Sequence, residues 1–586
     1  MTIRDLPTER FGVTFERNVP TPTREGTVLS ADVYLPQPEG RYPVLLQRTP
    51  YDKTLPAIGL MVDALRLAGA GYAVVVQDTR GRWSSDGEFH LFRDEIEDGY
   101  DAVEWCAAQP WSNGRVGMYG VSYVGMTQWF AAMARPPHLV TIMPALSAAN
   151  AHNGWTHRGG AFELGFNLSL TLLSFVLETA ARAAAPPERV AEIVAAIDDL
   201  PGSFARLPPR DQPTLAGIAP YYFDWLDHPD DDEFWSPWKI EDSYDRVEVP
   251  ALHIGGWYDI FLDGTIRNFV GMRSEGATPD GRRGQKLVVG PWSHGIPWLA
   301  NPVGDVDFGL ASTGAAVELE ALQLRWCDHW LKGIDNGVLD EPPVRIFVMG
   351  ANVWRDEYEW PLARTSFDDY FFHSGGRANS CHGDGLLTRE PPGAEPPDGY
   401  TFDPHDPVPT RGGGLCCSPG YNRGGAFDQK GVEARSDVLV YTTPPLAADV
   451  EVTGPIRVTL WASSSARDTD WTAKLVDVEP DGFARNLTDG IIRARYRDSF
   501  AAPSLLEPDV IYRYEIDLPE TSNLFKACHR IRVEISSSSF PRFDRNPNTG
   551  RPVAEDGELR SAAQRIYHDA EHPSRIVLSI IGDRNM

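Results

Sequence analysis

Between residues 27 and 145, short apolar runs rich in β-branched residues alternate with segments whose apolar side chains recur at helical spacing. Tyr42-Pro-Val-Leu-Leu-Gln47 ends at Thr49-Pro50, and Gly71-Tyr-Ala-Val-Val-Val-Gln77 is closed by Asp78-Thr-Arg-Gly81. Residues 93–108 carry Ile96, Tyr100, Val103, Trp105 and Cys106 at helical spacing. Val116-Gly-Met-Tyr-Gly120 reads as a strand, 123–134 as a helix and Leu139-Val-Thr-Ile-Met143 as a strand. Strands apolar along their whole length are buried on both faces. Joined through helices, they form a mostly parallel sheet with helices on either side.

The texture then changes twice. Residues 150–245 hold a long apolar stretch (164–185), a segment of helical spacing (186–200) and a region rich in Pro, Trp and Asp (208–238), with no strand pattern. This predicts a helical insertion. Strand signals resume at Val249-Pro-Ala-Leu-His-Ile-Gly255 and Lys286-Leu-Val-Val-Gly290, and a helix fits 314–332. From about 345 onward, short runs such as Ile456-Arg-Val-Thr-Leu-Trp461 and Arg530-Ile-Arg-Val-Glu-Ile535 are separated by Pro, Gly and Asp, which predicts a β-sandwich of jelly-roll type. The Gly- and Pro-rich stretch 375–435 reads mostly as loop. The expected organisation is an α/β core in two parts, 1–149 and 246–350, around a helical cap at 150–245, with a jelly-roll β-sandwich at 351–586.

The local motif with most chemistry is Gly120-Val-Ser-Tyr-Val-Gly125, between a buried strand and a helix. A serine on such a turn projects its Oγ above the sheet, with a helix N-terminus behind it. Gly120 leaves room for a tight turn. The second glycine of the usual pattern falls two residues after the serine; here Val124 stands there and Gly125 comes one later. Taken alone, the motif also fits an incidental serine on a strand–Gly–helix turn.

A serine hydroxyl needs a base, and the base needs an orienting acid. In α/β-hydrolases these follow in the order Ser, Asp or Glu, His, each beyond a later strand. Asp259 stands in Gly255-Gly-Trp-Tyr-Asp259 and His294 in Gly290-Pro-Trp-Ser-His294, both just past strand-like runs. Ser122, Asp259 and His294 are therefore the candidate triad. One oxyanion donor is the N–H of Tyr123, the residue after the nucleophile. The second should come from the loop after 42–47, which reads Arg48-Thr-Pro-Tyr-Asp-Lys53. Tyr51 could supply a phenolic O–H there, or be an ordinary packed or surface tyrosine.

These motifs, with Gln77-Asp-Thr-Arg-Gly81, Asp470-Trp-Thr-Ala-Lys-Leu-Val-Asp477 and Phe540-Pro-Arg-Phe-Asp-Arg-Asn-Pro-Asn-Thr-Gly550, make the chain similar to the bacterial cocaine esterase family. That family is related to the X-prolyl dipeptidyl peptidases, the glutaryl acylases and the α-amino acid ester hydrolases. The resemblance runs through nearly the whole chain. It implies an α/β-hydrolase core, an inserted helical cap and a C-terminal jelly roll. It makes Ser122 the nucleophile, His294 the base and Asp259 its orienter, with Tyr51 and the Tyr123 N–H as oxyanion donors. It also implies an acyl pocket containing Trp155 and Phe261, with Leu170 in place of a second cap tryptophan and Cys416-Cys417 in place of a bulky apolar pair; Trp257 is added as a further pocket candidate. In the α-amino acid ester hydrolases an acidic pair follows the triad aspartate by two and three residues. Here those positions are Phe261 and Leu262, an apolar wall for an ammonium group. Esters with bulky or aromatic acyl groups are the expected substrates, ahead of amides and Xaa-Pro peptides.

Net charge narrows the partners. Fifty-four basic against 82 acidic residues give −28, which repels nucleic-acid phosphates and anionic lipid. No run of ~18 apolar residues suggests a membrane span, and the first ten residues lack a signal-peptide core. Six cysteines, at 106, 327, 381, 416, 417 and 528, are too sparse for a disulfide framework, and the expected location is a reducing cytoplasm. His152 and His157, five apart, read as structural or solvated, and Cys416-Cys417 lack identifiable co-ligands, so neither metal nor cofactor is expected. The expected partner is a small-molecule ester or amide, with a homodimer left open. A non-catalytic protein holding a sugar or other ligand in its aromatic cleft is the alternative of another class.

Overall fold

The computed structural model describes residues 11–55, 63–294, 301–417, 420–421 and 423–582. Ten strands form the first sheet: β1 (Gly12–Pro22), β2 (Val28–Gln37), β3 (Tyr42–Thr49), β4 (Ala73–Asp78), β5 (Ser112–Val121), β6 (Leu139–Ala145), β7 (Ala251–Tyr258), β8 (Gln285–Ser293), β9 (Val344–Val348) and β10 (Val353–Glu357). Their spatial order is 1-2-4-3-5-6-7-8-9-10. Neighbours from β4 through β9 run parallel, and the strands at the two edges run antiparallel. All six residues of β4 and all eight of β7 are buried, as unbroken apolar strands require. Strand β1 gave no sequence signal because it is an edge strand whose residues are mostly exposed.

Helices α1 (Ala64–Gly69), α2 (Glu95–Ala108) and α3 (Tyr123–Ala134) connect the early strands. Between β6 and β7 lies a helical segment with α4 (Leu164–Leu170), α5 (Val176–Arg182), α6 (Pro187–Asp198), α7 (Leu200–Ala205) and α8 (Pro220–Asp227). A π-turn at Thr171–Phe175 joins α4 to α5. The resulting helix, Leu164–Arg182, is long and apolar enough to cross a membrane, but two-thirds of it (67%) is packed inside the protein. The segment also holds a two-residue hairpin, His157–Arg158 with Ala161–Phe162, where no strand was expected. Its turn, Gly159-Gly160, has positive φ at both positions, and a Cβ on Gly159 would fall 1.9 Å from the Ile491 carbonyl oxygen. Only glycine lets this hairpin press on the C-terminal strands. Helices α9 (Leu262–Glu275), α10 (Pro279–Arg283) and α11 (Leu319–Lys332) follow the later strands; α11 begins later than the expected 314–332.

Beyond Thr365 the chain is β-rich. Eleven strands join one mixed sheet, the longest being Val450–Ser464 and Tyr512–Phe525. Buried ions tie it to the helical segment. Arg493 bonds Asp470 through Nε (2.9 Å) and Asp544 through Nη2 (2.7 Å), and Asp544 accepts the Phe162 N–H (3.0 Å). Arg542 pairs with Asp489 (2.7 Å) and Glu163 (3.5 Å). The motifs 470–477 and 540–550 therefore work, at least in part, as the clamp between two parts of the molecule.

Candidate active site

The strand-to-helix turn after β5 holds Ser122 at φ 63°, ψ −123°, outside the regions a serine ordinarily occupies. The turn survives because its neighbours leave it no alternative. A Cβ on Gly120 would lie 2.2 Å from Val124 Cγ1, and one on Gly125 would lie 2.8 Å from Ser147 Cβ and 3.0 Å from the Ala145 carbonyl oxygen. The departure in glycine spacing is thus explained: Val124 fills the space over Gly120, and Gly125 is the position where α3 presses on the end of β6. The Ser122 N–H donates to Ala145 O (2.9 Å), fixing the turn to that strand.

His294 sits just beyond β8 and Asp259 just beyond β7. The imidazole Nε2 lies 2.9 Å from Ser122 Oγ, and Nδ1 lies 2.5 Å from Asp259 Oδ1. Asp259 is buried, and its N–H is held by Gly256 O (2.9 Å). Three residues that are 137 and 35 positions apart in the chain thus form one hydrogen-bonded line. At the serine end, the Tyr51 hydroxyl stands beside the Ser122 side chain. Burial pushes the Tyr51 phenol above its ordinary range, so it keeps its proton at neutral pH and can donate it. The Tyr123 N–H opens helix α3 and has no intrahelical acceptor. A phenol and a based hydroxyl therefore stand together at the N-terminus of α3.

Two buried arginines explain why the Tyr51 loop stands where it does. Arg48 bonds Gln77 (2.9 Å) and Glu95 (2.6 Å), and Glu95 in turn accepts the Tyr123 hydroxyl (2.9 Å). The Glu95 carboxyl lies above its ordinary range because burial disfavours the charge, against the pull of Arg48. Arg82 donates to Pro50 O (2.9 Å), Ser174 O (3.0 Å) and Phe175 O (3.2 Å), and pairs with Glu178 (2.6 Å). Phe175 then stacks on the Tyr51 ring, centroids 5.8 Å apart at 13°. Lys53 closes the loop through a buried pair with Asp78 (2.9 Å). The motifs Arg48–Lys53 and Gln77–Gly81 stand out in the sequence, whereas the roles of Glu95, Arg82 and Phe175 do not. Charged residues inside apolar contexts (Arg48 near the end of a buried strand, Arg82 next to a turn) are the available signal.

The aromatic residues form a wall. Trp155 stacks on Phe261 (4.6 Å, 10°), and Phe261 meets the His294 ring edge-on (5.1 Å, 84°). Leu170 and Cys416 belong to the same packed cluster, and Cys417 packs against it. Trp257 does not. Its indole donates to Phe347 O (2.7 Å) and its ring lies 5.9 Å from Trp360, in the separate core beneath the C-terminal strands. It sits near the end of β7, and its ring packs into that core together with the adjacent Tyr258, apart from the cluster that holds Trp155 and Phe261. Cys416 and Cys417 are joined to each other by a disulfide, while Cys106, Cys327, Cys381 and Cys528 are free. His152 and His157 are structural: His152 Nε2 bonds Pro229 O (2.9 Å), His157 Nδ1 bonds Thr156 Oγ1 (3.0 Å), and burial lowers both pKa values. Among the described residues no group of three or more His, Cys, Asp or Glu side chains is arranged to hold a metal ion.

This arrangement on this sheet is that of a serine hydrolase. Residues 25–296 match the X-Pro dipeptidyl-peptidase (S15 family) and residues 336–577 match the X-Pro dipeptidyl-peptidase C-terminal non-catalytic domain. The chain is 41% identical to the cocaine esterase of Rhodococcus sp. (strain MB1 Bresler) over 573 residues, 96% of this chain and 98% of the relative, and it belongs to that family of S15-type hydrolases. Two solved structures cover the whole fold. An aminopeptidase from a marine sediment Thaumarchaeota archaeon is 27% identical, with a TM-score of 0.80 and 99% of each chain covered. An α-amino acid ester hydrolase is 25% identical, with a TM-score of 0.79 and coverage of 99% and 98%.

Proposed function

We propose that the chain is a serine esterase that cleaves carboxylic esters, preferentially those with bulky or aromatic acyl groups, through an acyl-enzyme on Ser122. The observation that carries this reading is the single imidazole of His294 bonded at once to Ser122 Oγ and Asp259. Ser122 Oγ attacks the acyl carbon while His294 Nε2 takes its proton. The carbonyl oxygen becomes an oxyanion, received by the Tyr51 O–H and the Tyr123 N–H. His294 returns the proton to the departing alcohol. Water, deprotonated by the same imidazole, then releases the acid. Asp259 holds the imidazole with its Nδ1–H inward and stabilises the imidazolium.

The aromatic wall of Trp155 and Phe261 supports the acyl preference, as does the relative named for cocaine esterase activity. Phe261 and Leu262 offer no carboxylate to a substrate ammonium, which weighs against α-amino acid esters and free N-termini. An amidase or Xaa-Pro peptidase is the second reading, favoured by the S15 match. A purely ligand-binding role fits poorly with an intact hydroxyl–imidazole–carboxylate line. As architecture we propose an α/β-hydrolase core at 1–149 and 246–350, a helical cap at 150–245 and a jelly roll at 351–586, supported by the strand order and by the helices inserted between β6 and β7. The acidic surface and sparse cysteines favour a cytoplasmic enzyme that binds no nucleic acid or membrane. The test is turnover of p-nitrophenyl butyrate by the wild type and Ser122→Ala, followed by benzoyl esters, Xaa-Pro-anilides and glutaryl amides. Unchanged activity in Ser122→Ala refutes the acyl-enzyme, and faster turnover of an anilide than of every ester selects the second reading.

A further inference from the structure

The bonded pair Cys416–Cys417 stands at an unusual place. The chain reaches it from the C-terminal β-region through a neck where Gly413 and Gly425 exchange backbone hydrogen bonds of 2.8 and 3.0 Å. That neck is wedged against the triad. A Cβ on Gly414 would lie 2.9 Å from the Asp259 carbonyl oxygen, and one on Gly424 would lie 3.3 Å from Ser293 Cβ, beside His294. Cys416 is buried in the cluster that contains Tyr123, Trp155, Leu170 and Phe261, and the less buried Cys417 packs against it. Cys417 also has φ 67°, a left-handed backbone that a non-glycine residue rarely keeps without an outside constraint. The ring closed by a disulfide between neighbours is such a constraint.

We propose that Cys416–Cys417 is a specificity determinant whose width depends on its oxidation state: the disulfide admits bulky acyl groups, and the dithiol narrows the pocket. Bonded sulfurs lie about 2 Å apart. Two thiols must separate to non-bonded contact and then rotate independently, so together they fill more of the wall. A disulfide in a reducing compartment is typically transient, catalytic or redox-sensing rather than structural. The switching reaction is thiol–disulfide exchange with a dithiol reductant. One reductant thiolate attacks Cys417 Sγ, the more accessible sulfur, and the S–S bond breaks with Cys416 leaving as a thiolate that takes up a proton. The second reductant thiol displaces Cys417 from the mixed disulfide. Two electrons pass to the protein, and the reductant ends as its own disulfide.

This inference rests on the acyl-enzyme reading above, and the test separates the two. Thiols are titrated in the denatured protein before and after equilibration with dithiothreitol, and kcat/KM is measured for p-nitrophenyl acetate and p-nitrophenyl benzoate in each state. The four free cysteines become six on reduction. The benzoate-to-acetate ratio of kcat/KM is expected to fall about tenfold, the discrimination that roughly one methylene of pocket space provides, and to recover on reoxidation. Cys417→Ser, which cannot form the bond, is expected to have a ratio that dithiothreitol leaves unchanged. Six thiols under oxidising conditions overturn the proposal, as does a ratio that stays constant while the count moves from four to six. An equal response to dithiothreitol in Cys417→Ser does so too. Acetate turnover that Ser122→Ala abolishes keeps the esterase reading intact in each of those cases; no turnover of any ester removes that reading itself.

Discussion

Replacing Tyr51 by Phe isolates one hydroxyl. The ring remains free to stack on Phe175 at 5.8 Å and to meet Tyr123 edge-on at 6.3 Å, so the loss is confined to the O–H. In the resting enzyme that O–H stands beside the Ser122 side chain. In the transition state it bonds an oxyanion, and losing such a donor costs about 3–4 kcal/mol. That cost raises the barrier; at 1.36 kcal/mol per factor of ten it is roughly 160- to 900-fold in kcat. Stability should fall by no more than about 1.5 kcal/mol, since one hydroxyl and one partner are involved. The assay is the steady-state rate on p-nitrophenyl butyrate, with circular dichroism melting as the control for folding. A kcat within threefold of wild type in a folded variant refutes the assignment of Tyr51 as an oxyanion donor. The same burial that raises the Tyr51 phenol predicts that wild-type activity shows no loss centred at ~10, the value of a free tyrosine.

Arg493→Met should destabilise the protein by about 3–5 kcal/mol, because it leaves Asp470 and Asp544 buried without their cation; urea unfolding measures it, and a loss below 1 kcal/mol would mean the clamp contributes little. The buried pair His568–Asp398 (2.9 Å) sets a pH window. Burial opposes the charge on both groups, but for His568 the bond to Asp398 outweighs it and raises the pKa, and for Asp398 the bonds from His568, the Ala378 N–H, Ser374 and Tyr441 outweigh it and lower the pKa. The histidine's contribution is complete below its unfolded value of ~6.5 and fades as pH rises through the higher folded one; the aspartate's is complete above ~3.9 and fades as pH falls. Stability from the pair is therefore greatest between about pH 4 and 6.5. Urea midpoints from pH 4 to 9 should show wild type losing its advantage over His568→Asn toward the alkaline end, and a constant difference between the two proteins would contradict the linkage.

Much of the fold was legible because burial leaves a mark on composition. Strands β3 to β8 are covered on both faces, so they read as unbroken apolar runs, and the residues at their ends, Ser122, Asp259 and His294, could be named from their order and position alone. The features that escaped the reading are those whose meaning depends on what lies opposite. Strand β1, exposed at a sheet edge, carries no apolar pattern. Gly159-Gly160 turns a hairpin only because the Ile491 backbone lies against it. Trp257 reads as another pocket aromatic, yet its ring packs with Trp360 and the core of the C-terminal strands, which lie far along the chain.

Local periodicity and side-chain type are enough to specify the layered sheet, the strand-end residues and the chemistry they permit. Only the tertiary structure decided that one imidazole reaches both Ser122 and Asp259, that Arg82 and Phe175 hold Tyr51 over the serine, and that Cys416 and Cys417 are bonded beside the triad. Each of these is a contact between residues distant in the chain or a bond between two side chains, and its energy depends on separation through space, a quantity that the spacing along the chain does not contain.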